Sequence, residues 1–191
     1  MARGRQREEA ILGAMIQLLQ EQGYQAVTMD GVASRAHASK ATIYRRWRNK
    51  AELVKAALDA LDRQHSEAIP DTGELRSDLV AVLKAMRQKA TAPYMAMIND
   101  LIGASRHDKE LAALLQSHVR NDELSPFEPV LRRANKRDGI PSDRCATLVH
   151  DVAEAMILRQ LQTGSPFDSK FISRVVDGVL LPLLQVRKRK R

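Results

Sequence analysis

Thr28 and Ser39 each stand where a helix can begin, and the residues that follow them leave little choice of structure. A hydroxyl at a helix N-cap accepts from the amide two or three residues on. After Thr28 the small and apolar side chains of Val32, Ala33 and Ala36 recur at helical spacing. His37 and Ala38 make a tight turn. Ser39 then opens a second short helix bearing Lys40, Thr42, Tyr44, Arg45 and Arg46, with Arg48 and Lys50 just beyond. A short basic helix carrying hydroxyls and an aromatic, propped by a small-residue helix, has the form of a helix-turn-helix that reads DNA. Lys and Arg bind phosphates and base edges, and residues as small as Ala41 and Thr42 let the helix sit deep in the major groove. Tyr44 can set its hydroxyl on a phosphate, and Lys40 or Arg45 can reach guanine acceptors. The plain alternative is a solvated basic surface helix; the paired caps weigh against it.

The charge is placed to match. The chain of 191 residues carries a net charge of +8, but unevenly. Residues 1–50 hold nine Lys/Arg against four Asp/Glu, while Arg187 to Arg191 form a wholly basic tail and the body between is slightly acidic. A basic segment on a near-neutral body points to a polyanion partner for one domain only.

Helical periodicity runs through the rest of the chain. Ile11, Ala14, Met15, Leu18 and Leu19 form one stripe between Arg7 and Gln22, behind a flexible basic arm of Arg3, Arg5 and Arg7. Gly23 ends it as a left-handed residue. A longer amphipathic helix is expected from Lys50 to about His65, and the run Ile69-Pro70-Asp71-Thr72-Gly73 is the best boundary. Further helices are expected at Leu75–Met86, from Pro93, from Asp108, from Ser125-Pro126 to Gly139, from Ser142 to Gly164, and from Pro166 through Leu180. No alternating strand pattern and no internal repeat is present. The expected fold is all-α, with about nine to ten helices: an N-terminal three-helix helix-turn-helix domain over residues 1–66 (motif 28–47), a larger C-terminal bundle over 67–186 and the basic tail 187–191.

Several functions find no support. A single cysteine, Cys145, excludes an internal disulfide and fits a reducing compartment. No apolar run approaches the ~20 residues a bilayer span needs, and the first residues lack the apolar core of a secretory signal. A cytoplasmic protein is expected, with no membrane partner. The five histidines show no paired metal-ligand spacing, so no metal and no cofactor is expected. Neither a Gly-rich phosphate loop nor a nucleophile elbow is present, so no catalytic residue is assigned and the chain is read as not an enzyme.

The segment resembles the DNA-binding domain of the tetracycline-repressor (TetR) family of bacterial regulators. The likeness covers EEAILGAMIQLLQEQGYQAVTM, DGVASRA, SKATIYRRW and the NKAELV that opens the next helix. Beyond Ser66 it is looser, with DTGELRSDL up to Leu79 and DKELAALL from Asp108 similar to parts of one common C-terminal type. Two positions depart from the pattern: His37-Ala38 stands where the family more often has Gly-Val. His is less comfortable than Gly at positive φ.

The resemblance implies DNA contacts by position. Thr28, Tyr44 and Lys50 would meet phosphates, Ser39, Lys40, Ala41 and Thr42 would face the groove, and Tyr44 and Arg45 would reach backbone or bases. It also implies a small-molecule pocket in the C-terminal helices, for which Met86, Tyr94, Met97, Ile98, Leu101, Leu115, His118 and Met156 are the candidates. Methionine suits an adaptable cavity, although such a stripe is more often plain core. The last two helices would pair with those of a second copy, since two recognition helices related by a two-fold axis read a palindromic operator in double-stranded DNA. The function so implied is a sequence-specific transcriptional regulator, a repressor released from its operator by an unidentified small-molecule effector. Helix four would be the lever. Two other readings stay open at this point: an architectural DNA-binding protein without effector, and a metabolite-binding carrier or enzyme.

Overall fold

The computed structural model describes residues 2–66, 69–119, 121, 124–140 and 145–185. The tail Arg187 to Arg191, the expected cap Ser142 and the side chains of His65 and Cys145 lie outside the described residues. Among those described there are helices and no strand: α1 (Ala2–Ala26), α2 (Met29–Arg35), α3 (Lys40–Tyr44), α4 (Lys50–Ser66), α5 (Leu75–Lys89), α6 (Ala92–Ser105), α7 (Lys109–Val119), α8 (Glu128–Asp138) and α9 (Cys145–Gln162). A last helix is made of α10 (Ser169–Val175), a π-helical turn (Val176–Leu180) and α11 (Leu181–Gln185).

Two expectations are corrected. The basic arm is helical, because α1 begins at Ala2. Apart from Gly4 its residues are good helix formers, and Arg5 Nε lies 3.4 Å from Glu9 Oε1 one turn on. The last helix runs past Leu180 to Gln185. The π turn shifts the bonding register, with the Leu181 N–H donating to the Val176 carbonyl. Pro182 follows directly, so the N–H it lacks falls just after the π turn, where the bonding register has already changed.

Two compact units form, and they do not follow chain order: one lies within residues 1–61 and 90–120, the other within 62–89 and 121–191. In the first, Ile11, Met15 and Leu19 of α1, Val32 of α2, Ile43 of α3, Leu53 and Val54 of α4, Met97 and Leu101 of α6 and Leu111 of α7 share one core. The three- and four-residue spacing of these positions is what turns each helix inward. Gly23 breaks α1 with φ 74° and ψ 167°. The break frees the Tyr24 N–H, which donates to Asp100 Oδ2 on α6 at 2.6 Å. A Cβ on residue 23 would sit 3.1 Å from that same oxygen, so both the backbone angle and the close approach require glycine. The buried Tyr24 ring sends its hydroxyl to Asp108 Oδ2 at 2.8 Å, just ahead of α7.

The second unit is built on Leu79, Val82 and Leu83 of α5, Phe127 at the N-cap of α8, Val130 and Leu131 of α8, Val149 and Ala153 of α9, and Phe171, Ile172, Val175, Val176, Leu180 and Leu184 of the last helix. Asp78 on α5 is fully buried. Its Oδ1 accepts from the Thr72 N–H at 2.8 Å and the Thr72 hydroxyl at 2.6 Å, which holds the Pro-Gly loop down on its own unit.

One buried polar cluster of the first unit responds to pH. Asp59, 9% exposed on α4, accepts from Lys55 Nζ and from His118 Nδ1, each at 2.6 Å. Burial alone would push this carboxyl up, but the hydrogen bonds and charges of His118 and Lys55 together outweigh it and hold it below the usual aspartate value. A carboxyl depressed in the folded state stabilises fully above its unfolded pKa of about 4 and loses that contribution as pH falls through the folded value. Urea unfolding is therefore expected to show stability falling as the solution is acidified below about pH 4. Asp59→Asn should be less stable at neutral pH and show a shallower acid fall.

Candidate nucleic-acid interface

A five-residue helix does not hold itself together in water, so α3 owes its position to what it buries. Ile43 is fully buried and Trp47, one turn on, is 7% exposed. With these two side chains inward, Lys40, Ala41, Tyr44 and Arg45 lie exposed. Ser39 caps the start: its Oγ accepts from the Thr42 N–H at 3.2 Å and lies 2.8 Å from Thr42 Oγ1. Thr28 caps α2 in the same way, accepting from the Gly31 N–H at 3.0 Å. Its hydroxyl hydrogen is left to donate outward, as a phosphate contact would need.

The turn between them is the soft spot foreseen at His37. Among the described residues His37 is the non-glycine with positive φ, at 49°. The turn is nevertheless bonded, with Ala38 N–H donating to the Ala33 carbonyl at 2.9 Å.

Electrostatically, the surface is less free than its composition suggests. Lys40 Nζ donates to Asp30 Oδ2 on α2 at 2.7 Å, and this hydrogen bond raises the lysine pKa. Arg35 grips Glu21 with two bonds of 2.8 and 2.7 Å, and Arg46 pairs with Glu8. Arg45 and Arg48 are exposed, and neither guanidinium forms an ion pair among the described residues.

Lys50 is placed differently from what a phosphate holder would suggest. Its ammonium donates to the Tyr24 carbonyl at 2.6 Å and stands 4.0 Å above the Tyr24 ring centre. Burial pushes its pKa down, against the nearby charges of Asp108 and Asp100, which pull it up. The start of α4 is fixed around it. Asn49 Oδ1 caps the Glu52 N–H at 2.9 Å, Glu52 accepts from the Arg48 N–H at 2.8 Å, and Asn49 Nδ2 donates to Glu110 of α7 at 2.6 Å.

The structure thus brings Thr28, Ser39, Lys40, Ala41, Thr42, Tyr44 and Arg45 onto the α2–α3 surface and turns Lys50 toward Tyr24. Asp30 and Arg48 were missing from the expected contacts. Arg48 is legible in the basic run RRWRNK, whereas Asp30 has no local signal, because only the turn at His37 folds it onto Lys40. The pocket candidates divide between the two cores. Met97 and Leu101 lie inside the first, with Tyr94, Ile98 and Leu115 against it. His118 of α7 is in the same unit, bonded to Asp59, and Met86 and Met156 lie against the second core. Among the described residues no group of three or more His, Cys, Asp and Glu is placed to hold a metal.

His37→Gly is expected to stabilise the protein by about 1 kcal/mol, the cost of a left-handed residue with a side chain, read as a higher urea midpoint at unchanged slope.

Comparison with known proteins agrees with this geometry. Residues 11–57 match the family model described as bacterial regulatory proteins, tetR family, and residues 69–179 match the tetracyclin repressor-like C-terminal domain. The chain is 47% identical over 185 residues to the DNA-binding transcriptional repressor TetR of Mycobacteroides abscessus, with 97% of each chain covered. It is 41% identical to the HTH-type transcriptional regulator YdeS of Bacillus subtilis, covering 91% of this chain and 90% of that one. The crystal structure of the TetR family transcription regulator SCO0332 superposes with a TM-score of 0.67 at 29% identity, covering 88% of this chain and 96% of that one. No helix among the described residues is long and apolar enough to cross a membrane. The chain belongs to the TetR family of bacterial DNA-binding transcriptional regulators.

Proposed function

We propose that the chain is a cytoplasmic repressor that binds a palindromic operator as a homodimer and leaves it when a small-molecule effector binds. The observation that carries the DNA-reading part is the α3 surface: Ile43 and Trp47 anchor the helix, and Lys40, Ala41, Tyr44 and Arg45 are left exposed on it. Ser39, Lys40, Ala41 and Thr42 face the groove, Thr28 and Tyr44 hold phosphates, and Arg45 takes backbone or base. Lys50 spends one of its three donors on the Tyr24 carbonyl, and a phosphate would take another. The printed name of the Mycobacteroides abscessus relative supports repression.

Residues 1–66 are proposed as the DNA-binding part and 67–186 as the effector and dimer part. The effector contacts are proposed on Tyr94, Met97, Ile98, Leu101, Leu115 and His118, with Met86 and Met156 as further candidates. Dimerisation through α9 and the last helix is supported by Leu148, 41% exposed on α9, and by the partly buried Val179, Leu181 and Leu183.

Lys40→Ala combined with Tyr44→Ala is expected to abolish gel shift of the operator upstream of the protein's own gene. The thermal midpoint should be retained, since both side chains are exposed. Sedimentation of the wild-type complex should give two chains per palindromic duplex. An unaltered shift in the double variant, or one chain per duplex, contradicts the proposal. A thermal-shift screen of small metabolites and drugs tests the effector: at a hundred times its dissociation constant a true effector adds about 2.7 kcal/mol of stability, and the same compound should release the operator.

A further inference from the structure

We propose that Asp30 is a specificity-determining residue of the DNA-reading surface: its ion pair hides the charge of Lys40 from phosphates while leaving the lysine free to hydrogen-bond base edges. This rests on the operator-binding reading above.

Lys40 at the start of α3 and Arg45 at its C-cap are the two cations of the proposed groove-facing set that can reach bases, and they are not alike. Arg45 has no acidic partner among the described residues. Lys40 has one at 2.7 Å, contributed by the first turn of the neighbouring helix. The side chains of Lys40 and Asp30 are 63% and 58% exposed, so both stand where DNA would arrive. At the distance of a passing phosphate, an ion pair offers a dipole in place of a full charge, and a dipole displaces little of the counterion atmosphere that drives non-specific binding. At hydrogen-bond distance the situation differs. An ammonium has three donors, and Asp30 occupies one. The others remain for acceptors such as guanine O6 and N7. Asp30 also restrains a side chain that would otherwise be a flexible point charge.

The consequence is discrimination by a difference of affinities. On random DNA the Asp30–Lys40 pair is close to neutral and adds little attraction. On a matched site the directional bonds of Lys40 make up the difference. The other acid–base pairs near the motif do not act this way, because Arg35 lies on α2 and Arg46 beyond the end of α3, outside the proposed groove-facing set.

The experiment compares binding of full-length wild type, Asp30→Asn, Lys40→Met and the double variant to operator and to random duplex across a salt series. Asp30→Asn is expected to tighten random-DNA binding and to steepen its log–log salt slope by about 0.9, the value of one added phosphate contact. The ratio of operator to random affinity should fall. In the Lys40→Met background the same substitution should leave the slope and the ratio almost unchanged. Equal effects in both backgrounds would reduce Asp30 to a generic negative charge and overturn the proposal. So would an unchanged slope and ratio in Asp30→Asn, with circular dichroism confirming that each variant is folded. If wild type itself prefers no palindromic upstream site over random duplex, the operator reading fails and takes this proposal with it. That outcome is recognised in the wild-type ratio alone, before any substitution is compared.

Discussion

Burial of Ile43 and Trp47 is the contact on which the DNA-reading surface depends. α3 is five residues long, far below the length at which a helix is stable alone. The caps at Ser39 and Thr28 satisfy amides that would otherwise be orphaned. Direction, however, comes from two apolar side chains one turn apart, sunk into a core that α1, α2, α4, α6 and α7 also share. Everything exposed on α3 is exposed because those two are not. A rigid platform of this kind is what lets short polar side chains act as a reading surface.

The break in α1 at Gly23 is the second organising feature. Left-handed backbone there frees a peptide N–H and a carbonyl at Tyr24, and distant residues use both. Asp100 of α6 accepts from the N–H, and Lys50 donates a hydrogen bond to the carbonyl. Asp108 adds a bond to the tyrosine hydroxyl. One helix end thereby ties the head of α4 to α6 and to the start of α7. Because Lys50 is one of the proposed phosphate contacts, the state of this junction and the grip on DNA draw on the same ammonium.

Charge does not act here as a simple excess. Each acidic residue of the first fifty, Glu8, Glu9, Glu21 and Asp30, is matched with a base of that same stretch. Exposed pairs of this kind contribute little to stability. Their effect is to decide which cations remain for a polyanion. Arg45 and Arg48 have no ion-pair partner among the described residues, whereas Lys40 is paired with Asp30.

The helical class, the position of nearly every helix and the helix-turn-helix itself were legible in the sequence. They rest on local rules: three- and four-residue apolar spacing, hydroxyl caps and a turn with no room for continuation. The strain at His37 was legible through the family resemblance, since the family more often has Gly at that turn position. Two errors were also local, since neither the helicity of the basic arm nor the π turn that resets the helix before Pro182 leaves a strong periodic signal. What only the tertiary structure decided is which residues meet across sequence distance. The pairing of Lys40 with Asp30, the inward turn of Lys50, the Asp59–His118 bond and the interleaving of the two compact units all join residues from different helices. Side-chain spacing along one helix specifies the face each residue takes, but not the partner it finds. Sequence alone therefore determined the reading helix and the residues on its surface, while the packing of the other helices decided which of its charges are free to act.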